Sequence, residues 1–96
     1  MTVLEVAHVS VLAGHEAAFI ADLRQAADTL LPQAAGFRGF TAHGWCVERP
    51  GVFLFTITWD SIDDHMVGFR ESDLFTAWRA LIGPHFDGAP LVEHFE

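Results

Sequence analysis

Between Val52 and Trp59 the chain reads VFLFTITW, and Phe53, Phe55, Ile57 and Trp59 fall at every second position. That alternation predicts a strand with one buried face. Thr2 to Val11 also reads as a strand, but it is apolar on both parities. Val3, Ala7, Val9 and Val11 lie on one face, and Leu4 and Val6 on the other. A strand apolar on both faces is expected to be covered on both. From His15 to Leu31 the period changes: Phe19, Leu23, Ala26 and Leu30 form a helical stripe, with Glu16, Asp22, Arg24 and Asp28 toward water. Pro32 and Gly36 end that helix. Phe37 to Val47 predicts a strand in which Gly39 and Gly44 mark bulges or close approaches. The turn Glu48-Arg49-Pro50-Gly51 joins it to the VFLFTITW strand as a hairpin.

After Trp59, Ser61 is a candidate helix cap, with Asp64 in the N3 place of a capping box. Ser72 is a candidate cap for a second helix, where Leu74, Phe75, Trp78, Leu81 and Ile82 share a face. Gly83 and Pro84 stop it, and Leu91 to Phe95 forms a last strand. The order is strand, helix, strand, strand, helix pair, strand. This predicts an α+β, ferredoxin-like split βαβ fold with a four-stranded antiparallel sheet, as one domain over residues 1–96. Helices cover one sheet face. A second copy of the chain is the simplest cover for the other, so a homodimer is expected.

Composition narrows the function. Half of the chain is hydrophobic, 51% of 96 residues, which points to a rich core or an apolar surface covered by a partner. The net charge is −8, with no lysine and five scattered arginines. A nucleic-acid surface needs a basic patch, and an anionic membrane attracts one, so neither partner is expected. No apolar run reaches membrane-spanning length, and the N-terminus lacks the order of a signal peptide, so a cytoplasmic location is expected. The single Cys46 excludes an internal disulfide and a Cys-pair zinc site. Six histidines and thirteen carboxylates contain no H-x-x-x-H or H-E-x-x-H spacing. The acids Asp60, Asp63 and Asp64 are explained by the helix N-terminus beside them. No metal is expected.

The chain resembles the antibiotic biosynthesis monooxygenase (ABM) domain over essentially its whole length, most densely from Trp59 to Phe95. The resemblance rests on Trp59-Asp60-Ser61, His65, Phe69-Arg70, Ser72, Phe75, Trp78-Arg79, Pro84, Phe86, Pro90 and Val92-Glu93-His94-Phe95, with Gly36-Phe37 and Pro50-Gly51 upstream. It implies a dimeric α/β barrel, two sheets face to face, with a pocket between the sheet and helices of each protomer. Some members of that family oxidise polycyclic phenols to quinones with molecular oxygen and no metal, haem or flavin. Others degrade haem, act on small signalling molecules or quinols, or have no assigned activity. By resemblance, Trp59 and Arg79 look like the tryptophan and arginine of the quinone-forming members. Their tyrosine position holds His65, and their asparagine position holds Phe55. The chain has no asparagine or tyrosine anywhere. The haem degraders' asparagine and histidine on the last helix are replaced here by Thr76-Ala77-Trp78-Arg79.

The expected reaction is therefore a cofactor-independent monooxygenation of a small aromatic or quinol-like molecule. The alternatives are a non-catalytic dimer that holds a small apolar ligand and, less favoured, a haem-degrading or haem-binding protein. A substrate that donates its own electrons to oxygen must first lose a proton. The protein then needs a base active near neutral pH, a dry aromatic pocket and a cation near the developing anion. His65 is the candidate base, Arg79 the cation, and Trp59 completes the catalytic set. Phe19, Leu23, Phe69, Trp78, Phe86 and His94 are the candidate substrate-binding residues. The alternative for His65 is a helix-surface or packing histidine, for His8 and His94 a core or interface histidine, and for Arg70 and Arg79 ion pairs with Glu71 or Asp73. His15, His43 and His85 read as surface or loop residues.

Overall fold

A computed structural model describes residues 2–96. Its sheet is built on β3 (Val52–Trp59), whose four alternate residues Phe53, Phe55, Ile57 and Trp59 are all buried. β1 (Val3–Ser10) lies antiparallel beside it, pairing Val3 with Trp59, Glu5 with Ile57 and Ala7 with Phe55. Because side chains alternate at every residue, this register places Val3, Glu5, Ala7 and Val9 on the same face as the aromatic row. β2 (Phe37–Trp45) flanks β3 on the other side. Its register slips between Phe37 and Gly39 and again between Ala42 and Gly44, where glycine and bulge coincide. β4 (Leu91–Phe95) pairs with the free side of β1, placing His94 opposite Glu5. The strand order is β2-β3-β1-β4, all neighbours antiparallel, which is the expected ferredoxin-like arrangement.

α1 (Glu16–Thr29) starts one residue later than its hydrophobic stripe suggests. The Glu16 carboxylate accepts the Gly14 N–H at 2.6 Å, which sets an acid at the positive end of the helix. Phe19, Leu23, Ala26 and Ala27 face inward, and a 3₁₀ turn at Leu31–Gln33 carries Pro32. The Asp64 N–H donates to Ser61 Oγ at 3.1 Å, so Ser61 does begin the next helix. The return half of a capping box is absent. Asp64 is one methylene shorter than the usual glutamate, and its Oδ2 accepts the Ser61 hydroxyl at 2.9 Å instead.

That helix then widens. Asp64–Phe69 is a π-helix, in which the Arg70 N–H reaches back five residues to the His65 carbonyl at 2.9 Å. Ser72 sits with extended backbone just before α2 (Asp73–Ile82), the cap position, but its hydroxyl donates to the Phe69 carbonyl at 2.6 Å. It ties the π-helix to α2 rather than capping α2. A 3₁₀ turn, Gly83–His85, follows. Among the described residues nothing covers the outer face of the sheet, and Leu4, Leu91 and Phe95 are exposed there. No helix among the described residues is long and apolar enough to cross a membrane.

The joint between β2 and the π-helix is tight at Gly36. Its φ is +81°, its carbonyl accepts the Asp60 N–H at 2.8 Å, and a Cβ there would run into the Asp64 carboxylate. Gly36→Ala is expected to destabilise the protein by about 1–3 kcal/mol, the usual cost of left-handed backbone at a non-glycine residue, with the clash in addition. A fall in the urea midpoint at unchanged slope checks this.

Candidate functional site

The sheet register assembles the site before any helix arrives. Glu5 stands between Ile57 of β3 and His94 of β4, with Trp59 diagonal to it, all on the helix-covered face. A carboxyl in that position is removed from water, and Glu5 is only 5% exposed. It survives there because it has partners. Trp59 Nε1–H donates to Glu5 Oε1 at 2.9 Å, and His65 Nε2 lies 3.3 Å from the same oxygen. His65 comes from the π-helix and lies flat over the Trp59 indole, ring centroids 5.3 Å apart at 15°. Its second nitrogen, Nδ1, is 2.7 Å from His94 Nε2. Two hydrogen-bonded pairs, Trp59–Glu5 and His65–His94, are therefore joined into one line by the 3.3 Å contact between His65 Nε2 and Glu5 Oε1.

Burial dominates the electrostatics. It pushes the Glu5 carboxyl up to about 7, against the opposing pull of the Trp59 hydrogen bond and the Arg70 charge. Burial also pulls His65 down to about 4, helped by His94 and Arg70. His94 is lowered as well, by burial and then Arg70. Between pH 4 and 7 Glu5 and His65 are thus both neutral, and their 3.3 Å contact is not an ion pair. Near pH 7 the carboxylate forms. A proton on His65 Nε2 would then face it, and Nδ1 would be left to accept from His94.

This line opens onto a cavity of about 710 Å³ between the sheet and the π-helix–α2 segment. Glu5, Ala7, Val9, Phe55 and Ile57 form its floor. Phe69, Phe75, Trp78, Ile82 and Phe86 form walls, and Arg70, Arg79 and the segment 88–92 complete the lining. Mostly apolar lining with a few convergent polar groups is typical of small-molecule sites. Of the residues singled out from sequence, His65, Phe69, Trp78, Arg79 and Phe86 line the cavity. Trp59 is fully buried behind His65, and His94 reaches the site through His65.

Phe19 and Leu23 are placed elsewhere. α1 covers the Phe53 end of the sheet, where the Phe19 ring lies 5.7 Å from Phe53 and 6.3 Å from Trp45, and both residues are solid core. Neither Arg70 nor Arg79 has a carboxylate within ion-pair distance among the described residues, so the pairs with Glu71 or Asp73 do not form. Arg70 instead stands over the Phe75 ring at 5.2 Å. His85, expected at the surface, is buried: its Nε2 is 2.7 Å from Asp22 Oδ2 and its Nδ1 3.1 Å from His15 Nδ1. His43 meets the Thr56 hydroxyl on the outer face at 2.8 Å, and His8 lines a shallow hollow there. No three histidine, cysteine, aspartate or glutamate side chains among the described residues are grouped to hold a metal.

Two residues of the site escaped the sequence reading. Glu5 shares its parity with Val3, Ala7 and Val9, and a lone carboxylate on an apolar parity was the available signal. Arg70 stands in the Phe69-Arg70 pair of the family resemblance, but its sequence neighbours Glu71 and Asp73 offered an ion pair as the simpler account.

A sequence model of the family described as antibiotic biosynthesis monooxygenase matches residues 2–81. The uncharacterized protein YczJ of Bacillus subtilis (strain 168) is 33% identical over 98% of this chain and 97% of its own. The crystal structure of a putative antibiotic biosynthesis monooxygenase from Bordetella bronchiseptica superposes with a TM-score of 0.93 at 36% identity, covering 99% of this chain and 95% of that one. A variant of SnoaB, a cofactor-independent oxygenase from Streptomyces nogalater, superposes with a TM-score of 0.77 at 13% identity, covering 99% and 91%. The last likeness shows the fold alone.

The displaced titration of Glu5 has a thermodynamic consequence. Its folded-state value is raised, so the native state keeps a proton that the unfolded chain releases between about 4.5 and about 7. Its contribution to stability is complete below that window and is lost as pH rises through it. Glu5→Gln cannot titrate. The variant should therefore gain on the wild type as pH rises from 4.5 to 7, by at most ~1.4 kcal/mol per pH unit for one proton. Urea midpoints of both proteins across this range check the sign. A constant difference would contradict it.

Proposed function

The chain belongs to the antibiotic biosynthesis monooxygenase family, and on that premise we propose that it is a cofactor-independent monooxygenase of a small hydroxylated aromatic or quinol-like substrate. The observation that carries this reading is the buried Glu5 carboxyl, poised near neutrality at the floor of an aromatic cavity. A base must be partly ionised at working pH yet keep a strong affinity for the proton, and a value near 7 meets both needs. The sequence pattern favours His65 for this task. Its value of about 4 makes it a weak base, so His65 is better suited to hold and orient the carboxylate.

Glu5 takes an acidic proton from the substrate, and Arg70 and Arg79 steady the anion that forms. The electron-rich anion reduces molecular oxygen, and the two recombine as a hydroperoxide. Loss of water leaves a carbonyl, so a ring methylene and O₂ give a ketone and H₂O. Phe69, Phe75, Trp78 and Phe86 keep bulk water from the reacting anion. The site differs from the quinone-forming pattern at Phe55, which brings no polar group to the cavity floor. That difference favours a second reading, a dimer that binds a small aromatic ligand without turning it over.

A homodimer belongs to the same proposal. Leu4, Val6, Leu54, Leu91 and Phe95 share the outer face of the sheet, and a second copy would cover them. The interface should exceed ~1,600 Å² in total, the standard size for a specific complex. Sedimentation at micromolar concentration should give a dimer, and a monodisperse monomer would remove this part of the proposal.

The function is tested by oxygen uptake over a panel of anthrones and hydroquinones. On an accepted substrate, Glu5→Gln should lower the rate by roughly 10²–10⁴-fold, the usual worth of a general base, with the oligomeric state unchanged. Full turnover by Glu5→Gln would transfer the role to another group. Quenching of tryptophan fluorescence by panel members with no oxygen uptake would favour the binding reading.

A further inference from the structure

We infer that His94 is the proton exit of this site: Glu5, His65 and His94 form a relay that carries a proton from the buried carboxyl to solvent. The inference rests on the proposed role of Glu5 and adds to it. A base that takes a proton in every cycle must also lose one. Glu5 is closed off by Trp59, Ile57 and His65, and a substrate in the cavity would block its remaining side. His65 is itself only 3% exposed. His94, on the edge strand β4, is half-exposed and is the first member of the line that reaches water.

The geometry fits transfer rather than packing alone. Imidazole can accept a proton at one ring nitrogen while it releases one from the other. Both nitrogens of His65 have a partner group: Nδ1 is hydrogen-bonded to His94 at 2.7 Å, and Nε2 faces Glu5 Oε1 at 3.3 Å, a gap that must close in the transfer step. Stacking on Trp59 holds the ring in this orientation. In the transfer step the Glu5 O–H proton moves to His65 Nε2, and the His65 Nδ1–H proton moves to His94 Nε2. His94 then releases a proton from its other nitrogen to water, and Glu5 is left ionised. After product leaves, exchange of ring protons with water, for His65 across the open cavity and for His94 at the surface, restores the first tautomers and completes the cycle. Arg70, the nearby cation, disfavours a charged His94 and so favours release. His94 touches no reacting atom and acts through His65 as a positioning and shuttling residue.

The test needs no substrate. Exchange with solvent of the His65 Nδ1 proton, the one passed to His94, is measured by ¹⁵N NMR below pH 7 in wild type, His94→Ala and His94→Gln, with and without added imidazole. Both variants should slow exchange by roughly 10²-fold, the low end of what a positioned acid–base group contributes, and imidazole should restore it in His94→Ala. A merely structural role for His94 would not be rescued by a free imidazole. Unchanged exchange in both variants, or slowed exchange that imidazole leaves slow, would overturn the relay while leaving Glu5 as the base. Slowed and rescued exchange in a protein that oxidises no panel substrate would keep the relay and remove the oxygenase reading. With an accepted substrate, imidazole should rescue turnover in His94→Ala and not in Glu5→Gln.

Discussion

A carboxyl group on the apolar face of a central strand has to be neutral or fully partnered, because an ion without water is far too costly. Glu5 meets this condition through three different parts of the chain. Trp59 at the end of β3 offers an N–H, the π-helix lowers His65 onto the same oxygen, and β4 brings His94 behind it. The register of β1 with both neighbours fixes two of these contacts. The widened helical turn, anchored by Ser61 and by the Ser72 hydroxyl, fixes the third. Much of what is irregular between Trp59 and α2 is thereby accounted for by the requirements of one buried group.

The same group links stability to chemistry. Desolvation raises Glu5 and lowers His65, so two residues that would form an ion pair in water remain neutral through mildly acidic pH. Two titratable groups pushed apart by their surroundings are a common mark of acid–base sites. Here they face an aromatic cavity whose two arginines have no carboxylate partner among the described residues. The solved relative that is named an oxygenase is too distant to lend more than its fold, so the functional reading stands on this site.

The fold was legible because its signals are local and repeated. Alternation in β3, the glycines at the two register shifts of β2, and the stop signals at Pro32 and Gly83 each act over a few residues. Most of the legible part of the site lies on helical faces, as with His65, Phe69 and Trp78, while Trp59, Phe86 and His94 were legible from the motif they stand in. Phe19 and Leu23 have the right pattern for an inward face, but a stripe does not say which end of the sheet it covers. His85 reads as a loop residue, since its partners Asp22 and His15 lie 63 and 70 positions away. Glu5 was visible as an anomaly of parity. Its partners were not, because they meet it through strand register and a π-helix that no local pattern announces.

The claim on which all of this depends is that Glu5 holds its proton to near neutrality in the folded protein. Side-chain carboxyl ¹³C NMR on glutamate-labelled protein, with Glu5→Gln to assign the resonance, measures it directly. The Glu5 signal should titrate with a midpoint of about 7, well apart from the remaining glutamates. A midpoint in the ordinary range near 4.5 would show that the carboxyl is solvated or ion-paired, and would contradict the buried base and the proton path built on it.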